Sequence, residues 1–391
     1  MKVVFVSNFY NHHQKPFADA MYSKLGDGYH FIETAVISKE RLNMGWGREE
    51  KPPYVLQNYI NDEARENCQK IIDEADVVII GSASRRLLEN RLKNRKLTFY
   101  YSERIYKIKP PVYKYPVHFL KNIKNIIRHK NLYILCASAY TSADYKKVGS
   151  FVNKAYKWGY FTEVKYYEDI DALIEAKTKN SILWVSRFID LKHPEIAVEV
   201  AKRLKADGYN FTINMIGSGE REESTKDLIE KENLTDCVEL LGSMTPQEVR
   251  EYMEKSEMFL FTSDRNEGWG AVLNESMNSA CAVVANSAIG SVPFLMKHGE
   301  NGYMYKDGDV DGVYQSVKKL LDDENERKRL SRNAYNTMAN EWNAENAAVK
   351  FLTLCERMLD GEYKPFPFAD GVCSKAEILK DNWFEERQRN G

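Results

Sequence analysis

No stretch of this sequence approaches the ~18 to 20 continuous apolar residues that a membrane-spanning helix needs. The opening run Val3-Val4-Phe5-Val6 is too short for a signal-peptide core, so the expectation is a soluble chain. Net charge is nearly absent: 56 Lys+Arg against 57 Asp+Glu leave −1, which removes the global electrostatic case for nucleic-acid binding. Any cationic surface must be local. The six cysteines, at 68, 136, 237, 281, 355 and 373, form no C-x-x-C pair and have no histidine clamp nearby. That argues against a disulfide framework or a zinc site, and fits a reduced cytoplasmic compartment. No D-x-D metal motif stands at a strand end, since Asp169-Ile170-Asp171 and Asp307-Gly308-Asp309 lie in polar connecting sequence. There is no fixed-period repeat and no low-complexity tract.

What is present is an alternation of short apolar runs with helical periodicity, in a 391-residue chain long enough for two domains. The first series predicts strands over 2–7, 77–81, 97–102 and 132–137, with helices from Pro16, over 61–75 and over 84–94, and a basic segment over 117–128. Between 160 and 180 the pattern lapses. A second series then predicts strands from 182, 211, 238, 258 and 282, separated by helices, with three helices running to about 359 and one more over 375–388. Buried parallel strands alternating with helices give an α/β fold with two Rossmann-like domains. The predicted division is 1–170 plus a returning tail at 363–391, and 181–360.

Three segments at predicted strand ends carry chemistry. Glu267-Gly268-Trp269-Gly270-Ala271-Val272-Leu273-Asn274-Glu275 runs from a loop into a helix, where glycines permit close backbone approach and free N–H groups suit a diphosphate. Its two carboxylates can accept hydrogen bonds from sugar or ribose hydroxyls; the alternative is a loop acid and a solvated helix residue. Ser186-Arg187-Phe188-Ile189-Asp190-Leu191-Lys192 places a guanidinium and an ammonium on one loop, where they neutralise a diphosphate or are two ordinary surface cations. Gly217-Ser218-Gly219 closes the next strand, as a ligand-contacting turn or a simple strand end.

From about 181 to 342 the chain resembles the nucleotide-binding domain of family 4 glycosyltransferases of the GT-B fold. It shares the E-x7-E pair Glu267 and Glu275, the R-x4-K pair Arg187 and Lys192, Gly217-x-Gly219, Leu241-Gly242 and a late helix pattern around Trp342. The resemblance implies Arg187 and Lys192 on a donor diphosphate, Glu275 on ribose and Glu267 on the transferred sugar. It implies backbone near Gly217, Gly219, Leu241 and Gly242 around the base, with Gly268, Trp269 and Gly270 on the donor as well. It further implies domains facing across a cleft, a C-terminal helix crossing back to the first domain, retention of anomeric configuration and metal-free chemistry, with no cofactor beyond the nucleotide-sugar substrate. Where the family often has an acid after its Gly-x-Pro turn, Phe294 follows Gly290-Ser291-Val292-Pro293.

The first half resembles the family only at fold level. Asn11-His12-His13-Gln14 stands where a glycine pair is common, and Tyr101-Ser102-Glu103-Arg104 where a catalytic histidine is usual. Glu103 is therefore the candidate beside the reacting centre, and His12 or His13 for an acceptor or phosphate; the alternatives are Glu103 paired with Arg104 and solvated histidines. From Arg85 to Lys130 there are 14 Lys or Arg and two acids, Glu89 and Glu103. Within this stretch Phe119, Leu120, Ile123, Ile126 and Ile127 recur at helical spacing beside Lys121, Lys124 and Arg128, either as a face for an anionic membrane or as a domain helix with its apolar side inward.

The expected activity is transfer of a sugar from a nucleotide-sugar, UDP before GDP, to a surface polysaccharide or lipid-linked glycan, at or near the cytoplasmic side of the membrane. A sugar-nucleotide epimerase of the same fold and a non-catalytic nucleotide-sugar-binding subunit are the alternatives.

Overall fold

The structure, a computed structural model, describes residues 1–38, 51–107, 111–361 and 366–390. By contact it divides into two units, Met1–Glu163 with Trp342–Lys380, and Val164–Glu341 with Asp381–Gly391.

The first unit is built on a seven-stranded parallel sheet of order β3-β2-β1-β4-β5-β6-β7. Its strands are β1 (Val3–Ser7), β2 (Tyr29–Glu33), β3 (Val55–Gln57), β4 (Val77–Ile80), β5 (Leu97–Ser102), β6 (Leu132–Cys136) and β7 (Ala155–Lys157). The predicted strands all form; β2, β3 and β7 are additional, because they are short or carry polar residues that mask an apolar run. β1 and β4 are apolar at every position but Ser7 because both faces of a parallel sheet are covered, and all nine residues are buried. The predicted helix over 84–94 is a 3-10 turn, Arg85–Leu88, followed by a short helix, Glu89–Lys93. Arg91 in that helix is fully buried and donates to the carbonyls of Ile72, Ala75 and Leu97 at 2.6–2.8 Å. It thereby satisfies the carboxyl end of helix Asp62–Glu74 and is unavailable as a surface charge.

The basic amphipathic helix forms as Tyr115–Asn122, continuing in a π-helical turn over Ile123–Ile127. Only Ile126 of its apolar residues is buried; Val117 and Leu120 are 64% and 66% exposed, and Phe119, Ile123 and Ile127 are exposed too. The apolar side is outward, not inward. Lys109 of this basic stretch lies outside the described residues.

Helix Ala344–Leu359, which the sequence division put in the second domain, belongs to the first unit. Phe351 packs its ring on Phe17, Phe99 and Trp158 at 5.2–6.3 Å. After it the chain runs along edge strand β7, where Lys157 N–H donates to Ser374 and Ala376 N–H to Ala155. The predicted helix over 375–388 is only Trp383–Asn390, and it packs in the second unit through Phe384 on His298 and Glu385 on Lys306. Tyr363, where the tail was expected to begin, lies outside the described residues.

The second unit has a six-stranded parallel sheet of order β10-β9-β8-β11-β12-β13. Its strands are β8 (Thr178–Val185), β9 (Thr212–Ile216), β10 (Val238–Gly242), β11 (Ser256–Phe261), β12 (Ala282–Asn286) and β13 (Tyr303–Tyr305). Only β13 was not predicted. The core joins β8, β9, β11 and β12 to helix Pro194–Ala206 and helix Val310–Asp322 through Ile182, Val198, Met215, Leu260, Val284 and Val317. The buried Lys177 ammonium donates to the carbonyls of Met253, Ser256 and Ser279 at 2.8–2.9 Å, which ties the end of helix Pro246–Lys255 to the sheet.

Candidate functional site

The strand order of the second sheet locates its site. β8 and β11 are neighbours, yet the chain leaves β8 toward β9 on one side and β11 toward β12 on the other. Loops leaving the carboxyl ends of two such strands diverge, and the crevice between them is where open α/β sheets bind ligands. Here those loops are Ser186–His193 and Thr262–Ala271. They are stitched together: Asp264 N–H donates to Leu191 O at 2.9 Å, and Thr262 Oγ1 donates to Lys192 O at 2.6 Å. Buried Trp184 holds Thr262 in turn, its Nε1 donating to Oγ1 at 2.8 Å.

Lys192 and Glu267 are ion-paired across these two loops, both nearly buried. Arg187, on the same loop as Lys192, is exposed, and its guanidinium makes no ion pair or hydrogen bond among the described residues. His193 was not singled out in the sequence. It occupies the left-handed region at φ 48°, immediately before the Pro194 that starts its helix. Its Nδ1 lies 2.8 Å from Glu195 Oε1 and its Nε2 3.5 Å from Asp264 Oδ2, and bonding to Glu195 raises its pKa. A third cation can therefore form beside the Arg187–Lys192 pair. The signal available in sequence was a histidine flanked by Lys192 and Pro194 on a loop already singled out.

The glycine turn after β9 lies against the same loop. Gly217 and Gly219 have φ of 140° and 155°, and a Cβ on either would stand 1.8 Å from Ser186 O or 2.3 Å from Phe188 O. Only glycine lets the two loops approach this closely. Phe188 N–H donates to Ser218 O, and Gly217 N–H to Gly242 O, both at 2.9 Å, so Gly217, Gly219 and Gly242 border one surface. Leu241 is half-buried beside them.

Glu275 lies in the seven-residue helix Val272–Asn278. Its carboxylate is half-buried and has no hydrogen bond or ion pair among the described residues. Burial raises its pKa, against a smaller opposing pull from Arg250. Trp269 is buried and donates from Nε1 to Asn274 Oδ1 at 2.9 Å, fixing the turn into this helix. Gly268 is buried too. At Gly270, with φ 80°, a Cβ would meet the Phe261 ring at 2.3 Å. Phe294, standing where an acid was expected, has its ring 6.4 Å from that of Trp269.

The first unit has its own cavity, of about 480 Å³, at the carboxyl ends of β1, β4 and β5. His13, Gln14, Tyr101, Glu103, Trp158 and Tyr160 are among its lining residues; His12 is not. Glu103 accepts from Tyr160 OH at 2.7 Å and lies 3.5 Å from Lys107. It is not paired with Arg104, whose buried guanidinium faces Asp144 at 3.5 Å. The His13 ring is stacked on Tyr160 at 5.9 Å and lies against His12 at 3.9 Å. Burial, with a smaller contribution from His12, depresses the His13 pKa to about 3, so its imidazole is neutral at physiological pH. Sequence spacing could not show that His13 and Glu103 share a cavity.

Among the described residues, no group of three or more His, Cys, Asp or Glu side chains is arranged to hold a metal ion. No helix among them is long and apolar enough to cross a membrane.

Residues 167–337 match the family model described as glycosyl transferases group 1. The amylovoran biosynthesis glycosyltransferase AmsK of Erwinia amylovora is 28% identical over 182 residues, 45% of this chain and 44% of that protein. The N-acetylgalactosamine-N,N'-diacetylbacillosaminyl-diphospho-undecaprenol 4-alpha-N-acetylgalactosaminyltransferase of Campylobacter jejuni is 30% identical over 153 residues, 39% of this chain and 40% of that protein. The matches thus span less than half the length of these relatives. The crystal structure of Anabaena HepE in complex with UDP superposes with a TM-score of 0.65 at 14% identity, covering 90% of this chain and 100% of that one. The chain therefore has the two-sheet α/β architecture of the GT-B glycosyltransferases, and its second unit is similar in sequence to glycosyl transferases group 1.

Proposed function

We propose that the protein is a retaining glycosyltransferase, moving a sugar from a nucleotide-sugar, UDP-linked before GDP-linked, to a surface polysaccharide or lipid-linked glycan. The observation that carries this reading is the meeting of Lys192 and Glu267 on the two loops of the β8/β11 crevice, with Arg187, which has no ion pair among the described residues, on the loop that bears Lys192. A departing nucleoside diphosphate gains negative charge as the glycosidic bond breaks, so cations already in place stabilise the transition state more than the ground state. Arg187 and Lys192 are the cations for that role, doing without a divalent metal or other cofactor. Glu267, next to Lys192, is positioned for sugar hydroxyls. Glu275, whose carboxylate has no partner among the described residues, is the acceptor for ribose hydroxyls, with the backbone of Gly217, Gly219, Leu241 and Gly242 bordering the base. Gly268, Trp269 and Gly270 shape the loop that bears Glu267.

The acceptor is assigned to the first unit, with Glu103 as the residue for the reacting centre and His13, neutral and stacked on Tyr160, or His12 for contact with the acceptor or a phosphate. The named roles of AmsK in amylovoran biosynthesis and of the Campylobacter relative on a diphospho-undecaprenol glycan support this acceptor class, and HepE with UDP supports the nucleotide. The outward apolar face of the 115–127 helix, flanked by Lys121, Lys124 and Arg128, supports peripheral contact with the cytoplasmic face of an anionic membrane.

A thermal-shift screen against nucleotide sugars, followed by product analysis with and without acceptor, tests the whole reading. A ligand at 100 times its Kd stabilises by about 2.7 kcal/mol, an easily measured shift. Stabilisation by no nucleotide sugar overturns it, as does an epimer formed without acceptor.

A further inference from the structure

A second cavity of about 480 Å³ in the first unit has no part in the reading of the sheet-edge site. It lies between helix Glu89–Lys93 and the π-helical turn Ile123–Ile127, and shares only Tyr100 with the cavity that holds Glu103. Five cations, Arg85, Arg86, Lys93, Lys124 and Arg128, line it against a single acid, Glu89. None of the five is ion-paired to a carboxylate among the described residues, although Lys202 and Lys205 on the second unit each have an acidic partner within 3 Å. Arg85 is held on the face and hydroxyl of Tyr100, its carbon 4.6 Å from the ring centre. Arg128 Nε lies 3.3 Å from His129, whose pKa is depressed first by burial and then by the Arg128 charge. The floor is apolar, from Leu88, Leu92, Ile126 and Phe151.

Like charges converging on a concave surface with too little counter-charge are neutralised by a multivalent anion, and guanidinium groups favour phosphate oxygens geometrically. The apolar floor and the exposed Val117, Leu120, Ile123 and Ile127 of the adjoining helix indicate that this anion is attached to an apolar chain. We propose that the cavity is an anion site for the phosphate or diphosphate headgroup of a membrane lipid. It is independent of the donor loops, and rests on the reading above only for the membrane as the source of the phosphate.

Calorimetry with inorganic pyrophosphate on the full chain tests the site, comparing wild type, Lys93→Glu/Lys124→Glu and Arg187→Ala/Lys192→Ala. Both Lys93 and Lys124 are exposed, so their replacement leaves the fold intact, which circular dichroism checks. The expected result is a binding event, separate from any at the donor loops, that survives in Arg187→Ala/Lys192→Ala and weakens at least tenfold in Lys93→Glu/Lys124→Glu. Pyrophosphate affinity untouched in Lys93→Glu/Lys124→Glu overturns the site. Co-sedimentation with phosphatidylcholine vesicles containing phosphatidic acid tests the source. Attachment that Lys93→Glu/Lys124→Glu abolishes and pyrophosphate competes away supports the lipid; pyrophosphate binding without vesicle attachment overturns the lipid and leaves a free phosphate compound as ligand.

Discussion

Lys192 and Glu267, 75 residues apart, form an ion pair across the two loops that leave β8 and β11. In the free protein the ammonium therefore has a carboxylate partner, and a bound diphosphate would compete for it. The Arg187 guanidinium has no such competitor among the described residues, so under the proposed function it is the cation that would meet an anionic ligand first.

Arg187→Ala and Lys192→Ala should each cut turnover by about ten- to a hundredfold, since a hydrogen bond to a charged group contributes roughly 1.5 to 3 kcal/mol. The fold should be unaffected, because Arg187 is exposed and Lys192 sits on a loop. Wild-type rates in either variant would remove that cation from the diphosphate. If these two charges take the place of a divalent ion, as proposed, activity should also survive excess EDTA. Activity lost in EDTA and regained with magnesium or manganese would show that a metal takes part.

The two glutamates should separate by ligand. Glu275→Ala is expected to weaken binding of bare UDP, because ribose is present with or without the sugar. Glu267→Ala is expected to bind UDP at least as tightly as wild type, since it frees Lys192, while losing transfer. Equal loss of UDP affinity in both, measured by calorimetry, would overturn the division of roles.

Glu275 also makes a stability prediction. Burial raises its folded pKa above the unfolded value, so the group favours folding at low pH and loses that contribution as pH rises through the folded pKa. At neutral pH its ionised form is a burden on the free protein. Glu275→Gln should raise the Tm of the ligand-free chain, by about 2–4 °C for each kcal/mol relieved, while weakening UDP binding. A lower Tm would mean that the carboxylate is held by the protein itself.

His13 has the opposite pH dependence. Its folded pKa is depressed to about 3, so between there and its ordinary value near 6.5 the unfolded chain binds a proton that the folded one does not. Stability should fall as pH drops below about 6.5. The urea midpoint should decrease from pH 7.5 to pH 5, and by less in His13→Gln. A pH response identical in the two proteins would show that His13 is not buried as neutral imidazole.

The exposed helix separates membrane contact from anion binding. Val117→Asp/Leu120→Asp should reduce attachment to anionic vesicles at low salt without changing pyrophosphate affinity, because these side chains are outside the cationic cavity. Undiminished attachment would mean that the apolar face does not meet the bilayer.

Much of this protein is determined locally. A parallel strand covered on both faces must be apolar throughout, so Val77–Ile80 and Met258–Phe261 announce themselves, and a turn pressed against another loop must be Gly217-Ser218-Gly219. The spacing of Arg187 to Lys192 and of Glu267 to Glu275 is likewise written along the chain. Tertiary structure alone decided which of these meet. Strand order put Lys192 on Glu267, sent Arg104 to Asp144 and left Glu103 to Tyr160, and it carried helix Ala344–Leu359 onto the first unit through Phe351. It also decided that the apolar side of the 115–127 helix faces outward, which periodicity cannot show because an amphipathic stripe has the same spacing whatever covers it. Ion pairs and packing between residues distant in sequence depend on where each crossover returns the chain, and no local pattern records that.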